Sequence, residues 1–247
     1  ATLPFINEGT VLVRGTSAIN GTFTTVAGSI LRLAGDGTFG TSTLTVANGF
    51  TNNGLIELTN VSVNQPATLN VTSGTLLNPA GKTIDILAGS GGGARTLNAQ
   101  LDNQGTLNVG LGLTIDKASA DHNNSGTINV TGGNLTVSQS GTTPSFSTTG
   151  TITIDATRTF TVSGGTFNYN GGTVGGGGTL SLASATANFT PNFTNATTTL
   201  LINSSTVNGP GTLTNAAGQT LTLESSTLGA TLPFINEGTV LVRGTSA

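Results

Sequence analysis

The sequence predicts an all-β chain wound as a parallel β-helix (a β-solenoid), and three observations carry that expectation. A phrase of the form Asn-x-Gly-Thr-apolar-x-apolar recurs along the chain. Between its copies lies a second kind of segment with strict apolar, polar, apolar alternation. No segment keeps the i, i+3, i+4, i+7 spacing of an amphipathic helix over a helical length. Alternation marks a strand with one buried face. A short unit that cannot bury that face alone must stack on its neighbours.

The phrase begins as Asn7-Glu8-Gly9-Thr10-Val11-Leu12-Val13 and returns as Asn52-Asn53-Gly54-Leu55-Ile56-Glu57-Leu58, then more loosely around Gly81. It is clean in Asn103-Gln104-Gly105-Thr106-Leu107-Asn108-Val109 and Asn124-Ser125-Gly126-Thr127-Ile128-Asn129-Val130. It continues at Gly150, Gly178 and Gly211, and restarts at Asn236-Glu237-Gly238. Successive glycines of the phrase, from Gly9 to Gly238, are separated by 45, 27, 24, 21, 24, 28, 33 and 27 positions. The first interval reads as two coils, with a degenerate copy near residues 27–33, so about nine coils of roughly 25 residues are expected. The second strand type is seen at Thr43 to Val46, Thr68 to Val71, Leu113 to Ile115, Asn134 to Val137 and Thr159 to Val162.

The opening stretch ATLPFINEGTVLVRGTSA, Ala1 to Ala18, returns letter for letter as Ala230 to Ala247, an offset of 229 positions. So long an identity, surface positions included, is neither chance nor convergence. Residues 1–229 therefore read as one full period and residues 230–247 as the start of the next, a stretch of a longer tandem array.

Each Asn-x-Gly is expected to make a tight turn, because Gly takes φ > 0 freely and Asn tolerates the left-handed region. The β-branched residues that follow suit extended backbone. Stacking would put Val11, Leu107, Ile128, Ile152 and Leu180 in one interior column and Glu57, Asp85, Asn108, Asn129, Thr153, Ser181 and Thr222 outside. The turns would form a structural column of stacked amides and glycines: Asn7, Gly9, Asn52, Gly54, Asn103, Gly105, Asn124, Gly126, Asn236 and Gly238. Gly89 to Gly93 and Gly175 to Gly178 read as loops or wide corners. Ala185 to Thr199, with Phe189, Pro191 and Phe193, reads as an irregular excursion.

Charged residues are only 7% of the chain and the net charge is −3. Low charge suits a stack, since like charges repeated every ~4.8 Å would repel. It offers nothing to nucleic acid or to an anionic membrane. No run approaches the ~18 apolar residues of a spanning helix, so membrane insertion is not expected. The chain has no Cys, hence no disulfide and no thiol chemistry.

Catalytic, cofactor and metal sites are not expected. Glu57 and Asp85, with Lys82 nearby, are the one conceivable carboxylate pair for glycan hydrolysis, and they read better as a solvated strand face. His122 beside Asp121 reads as an exposed turn histidine, since no other triad member accompanies it. The glycine runs lack the Lys-Ser/Thr of a phosphate loop, and no calcium-binding nonapeptide is present. Leu12 and Leu241, apolar at an outward position, are a candidate lateral contact between solenoids, or a surface under an insertion loop.

The phrases NEGTVLV, NQGTLNV, NSGTINV and GGNLTVS resemble the repeats of large bacterial surface and secreted proteins, the filamentous-haemagglutinin-like adhesins and autotransporter passenger domains. The resemblance implies a right-handed parallel β-helix of triangular section, in line with the handedness of parallel crossovers, and an extracellular or cell-surface location. It carries over no catalytic residue. The function expected is structural: a segment of a long fibre or stalk whose partner is itself, end to end and by lateral pairing. The alternatives are an adhesin for glycans or cell surfaces and, more remotely, a polysaccharide-processing enzyme.

Overall fold

Three sides built of parallel ladders enclose one continuous apolar core. A computed structural model describes residues 3–247, in thirty strands and no helix, and every strand-to-strand ladder is parallel. Among the described residues no helix is long and apolar enough to cross a membrane. The strands follow a three-beat cycle that repeats for about 11 turns of a β-solenoid. In the first turn Phe5–Asn7 forms the first side, Thr10–Val13 the second and Thr16–Ile19 the third. The next turn lays Phe23–Thr25 beneath Phe5–Asn7, and Ile30–Gly35 beneath Thr10–Val13. Three long strands, Ser42–Thr51, Ala67–Asn78 and Arg95–Asn103, run from the third side round a bulged corner to the first.

The period-two pattern decides which side chains enter. On the second side Leu31, Ile56, Ile84, Leu107, Ile128 and Ile152 stack in register, all essentially unexposed. On the third side Leu135, Phe160, Leu180, Leu200 and Leu221 do the same. Leu180 thus belongs to a different column from Leu107 and Ile128. On the first side the inward column is Leu101, His122, Phe146, Phe167, Ala187 and Val207.

The coil count differs from the expected nine per period. From Phe5 to its duplicate Phe234 the chain makes ten and a third turns. Two causes account for the difference. Bonded residues on neighbouring coils lie only 20 or 21 positions apart towards the C-terminus, shorter than the phrase spacing suggests. The phrase also changes corners: Gly150 precedes a second-side strand, Thr151–Ile154, whereas Gly178 precedes a third-side strand, Thr179–Ala183. Intervals between glycines therefore include fractions of a turn.

The corner change coincides with a break in the second side. Its eight-stranded ladder ends at Thr173–Gly175, and a separate ladder of Phe193–Thr194, Leu213–Asn215 and Phe234–Asn236 takes over below. Large rings fill the core at this level: Phe189 and Phe193 have centroids 4.8 Å apart, and Tyr169 and Phe193 5.1 Å. Ala185 to Thr199 is accordingly no excursion. It supplies Thr186–Phe189 and Phe193–Thr194 as regular strands, with Phe189 and Phe193 buried.

Candidate functional site

The candidate site is the corner column that the Asn-x-Gly turns build. At two of the turns the Asn side chain also closes its own corner: Asn52 Oδ1 accepts the Gly54 N–H at 3.2 Å, as Asn7 Oδ1 does from Gly9; the Gly105 and Gly126 N–H groups donate instead to the Asn78 and Asn103 carbonyls of the coil above. The Asn Nδ2 reaches one coil down. Asn52 donates to Asn78 Oδ1 at 2.9 Å, Asn78 to Asn103 at 2.7 Å and Asn103 to Asn124 at 2.8 Å. The second amide hydrogen goes to a backbone carbonyl of the lower coil, from Asn52 to Thr83 at 3.0 Å and from Asn103 to Thr127 at 3.1 Å. These four asparagines are fully buried. A buried amide left without partners costs about 1–3 kcal/mol, so each coil depends on the one beneath it. The chain of amides ends where Asn124 donates to Thr148 Oγ1 at 3.2 Å.

A second amide chain starts below the break, from Asn195 to Asn215 at 2.8 Å and from Asn215 to Asn236 at 2.7 Å. Asn7 stands apart from both: its Nδ2 donates to Ile30 O at 2.9 Å, and the next residue in its column is the buried Thr25. Asn7 and Asn236, the same residue of the duplicated segment, thus occupy columns at different corners.

The column glycines are required for a reason other than the positive φ expected of them. Gly54, Gly105, Gly126 and Gly238 are absent from the residues with positive φ. A Cβ on Gly54 would lie 2.1 Å from Ser29 O, on Gly105 2.3 Å from Lys82 O, and on Gly126 2.2 Å from Gly105 O. The backbone of the coil above sits where a side chain would go. Gly9, in the first coil, has nothing within 4 Å.

The remaining polar candidates are each engaged. Glu57 and Asp85 are register partners on adjacent coils. Glu57 is ion-paired with Arg32, whose pKa is raised by that hydrogen bond and charge, and Asp85 Oδ1 accepts from Asn108 at 2.8 Å. Asn129 continues the outward chain to Asn108 at 2.9 Å. The buried Arg95 belongs to no motif of the sequence. Its guanidinium is 1% exposed and donates to five carbonyls, among them Gly93 at 2.9 Å and Ala88 at 3.1 Å, which pins the Gly89 to Gly93 loop. Burial pulls its pKa down to about 10, so it stays charged at neutral pH. Among the described residues no three His, Asp or Glu gather as a metal site.

His122 corrects the expectation of an exposed turn residue. It is 2% exposed, faces inward between Leu101 and Phe146, and accepts the Leu101 N–H on Nδ1 at 3.2 Å. The strand Asp121–Asn124 that precedes the turn alternates too, and places His122 and Asn124 inward. Leu12 and Leu241 are 47% and 38% exposed. Leu12 lies beside Arg32 on the second side and Leu241 beside Thr222 on the third.

Fold and column together define a β-solenoid with an internal amide ladder. Comparison with family models, with curated proteins and with solved structures finds no match.

The crowding at the turns and the burial of His122 can each be tested. Gly126→Ala forces a Cβ into the carbonyl of Gly105 and should destabilise the chain by about 1–3 kcal/mol, the range for overpacking, whereas Gly9→Ala should stay within about 0.5 kcal/mol of the parent. Denaturant titration of both variants checks the difference; equal effects would contradict the crowding. Desolvation holds His122 down to about 4, against an ordinary 6.5. The unfolded chain therefore binds the proton first, so stability is intact above about pH 6.5, falls as pH drops, and levels off below about 4. The loss at pH 4.5 should be about 2–3 kcal/mol. His122→Leu should start about 1 kcal/mol lower, because the Leu101 N–H loses its acceptor, and should lack this component of the pH dependence. Parallel stability–pH curves would refute the assignment.

Proposed function

We propose that this chain is a structural segment of a long extracellular fibre or cell-surface stalk, in which identical periods follow one another as a single continuous solenoid. The observation that carries this reading is the duplicated segment: Phe5–Asn7 and Thr10–Val13 return as the strands Phe234–Asn236 and Thr239–Arg243, and the second copy is another coil of the stack. Phe234–Asn236 lies in register under Leu213–Asn215, and Thr239–Arg243 under Thr220–Glu224. A repeat that enters the stack without a linker lets the next period do likewise.

The polar exterior supports the same reading. Outward amides are bonded along the stack, Asn188 to Asn168 at 2.9 Å and Asn129 to Asn108 at 2.9 Å, and the carboxylates Glu57 and Asp85 are taken up by Arg32 and Asn108. These groups serve cohesion between coils, which favours a structural role over glycan recognition or hydrolysis. At ~4.8 Å per coil, each period should lengthen the rod by about 50 Å.

Lengthening the chain by further copies of residues 19–247, and measuring particles by electron microscopy, tests the proposal. Rods that grow by about 50 Å per added period are expected; compact particles, or a length that does not scale, would sink it.

A further inference from the structure

The duplicated segment is an internal control for what each end of the solenoid is built to touch. Its first copy lies in the first coil, with a coil below it; its second copy lies in the last, with a coil above it. Leu3 is 79% exposed, while its duplicate Leu232 is 8% exposed under the preceding coil. Val242 is 55% exposed, while its duplicate Val13 is 5% exposed above Leu33. Gly9 has free space around it, yet the same glycine at 238 would place a Cβ 2.4 Å from Ala216 O. Each copy covers what the other leaves bare.

The two copies also occupy different sides. Phe5–Asn7 begins the first-side ladder, but Phe234–Asn236 belongs to the second-side ladder of Leu213–Asn215. Thr10–Val13 is on the second side, but Thr239–Arg243 pairs with Thr220–Glu224 on the third. Thr16–Ile19 is on the third, but its duplicate returns to the first, where the Leu228 N–H donates to Ala247 O at 2.7 Å. Both strands, and the segment 245–247 that repeats the start of the third, have moved by one side in the same sense. This is the ten and a third turns seen locally.

We infer that the C-terminal edge is an interface for the next copy of this period, and that the copy docks one side further round the prism. This rests on the fibre reading. The occupant is fixed by the first copy: the strands that lie under Phe5–Asn7, Thr10–Val13 and Thr16–Ile19 are Phe23–Thr25, Ile30–Leu33 and Thr43–Val46. The next copy of those strands pairs under Phe234–Asn236, Thr239–Arg243 and residues 245–247. Three periods, about 150 Å at ~4.8 Å per coil, bring a feature back to the same side. The corner loop that carries Phe39, which is 60% exposed, and the outward Leu12 are thereby dealt to all three sides in turn. Any bend built into one period points in three directions a third of a turn apart and cancels, so the axis stays straight. A lateral stripe of Leu12 residues along one side would have a spacing of three periods rather than one.

The test uses the full chain extended by two copies of residues 19–247, with Phe39→Cys in every period and a gold label on each thiol. The chain has no native cysteine to compete. Cryo-electron tomography follows each side along the rod. The expected result is one label every ~50 Å, passing from one side to the next, with all three sides marked once. Rods with all labels on one side would overturn the rotation and leave the fibre standing. Particles that are not rods would overturn both.

Discussion

Everything in this fold depends on vertical contact between buried polar groups. Asn52, Asn78, Asn103 and Asn124 are fully enclosed, and each donates its amide to the coil below. From above, the backbone of the preceding coil closes on the turn glycine so tightly that a Cβ is excluded. A coil is therefore incomplete by itself in both directions. The apolar columns supply most of the driving force, as in any stacked repeat. The amides and glycines fix the register, because a slip by one residue would turn the inward side chains outward and part each buried Asn from the amide of the next coil.

That constraint explains how the chain can change corners without losing order. On the first and third sides the ladders run unbroken past the level of Gly175. At that level the second side alone is interrupted, and there Phe189, Phe193 and Tyr169 fill the interior. One amide chain ends at Thr148, and another begins at Asn195 around the next corner. Moving the phrase by one side is a local change, accommodated by an aromatic cluster, yet it sets the orientation of everything that follows.

Much of this was legible in the sequence. The alternation in Thr106–Val109 and Thr127–Val130 marks the strands, and the recurring Asn-x-Gly marks the turns, because side-chain period and turn chemistry are local properties. The side on which a phrase lies is not local. Gly150 and Gly178 look alike in sequence, and nothing between them states that an extra corner has been passed. The same limit hid the order of Ala185 to Thr199, whose aromatic and proline residues depart from the Thr/Val pattern although its coil is regular. His122 sits two residues before a strong turn motif, which masks the short alternation of the strand that holds it. The reason for the glycines was also invisible, since crowding by another coil leaves no mark on composition.

The two copies of the duplicated segment lie on different sides of the solenoid, and disulfide trapping tests this most directly. In the cysteine-free chain, one double variant carries T222C with L241C, partners on the third side. The other carries T214C with L241C, partners only if the duplicated strand had returned to the second side. Coil spacing of ~4.8 Å falls within the Cα separation a disulfide accepts. Oxidation and peptide mapping should find the bridge between positions 222 and 241 formed in high yield, and the bridge between positions 214 and 241 absent. The reverse pattern would contradict the account.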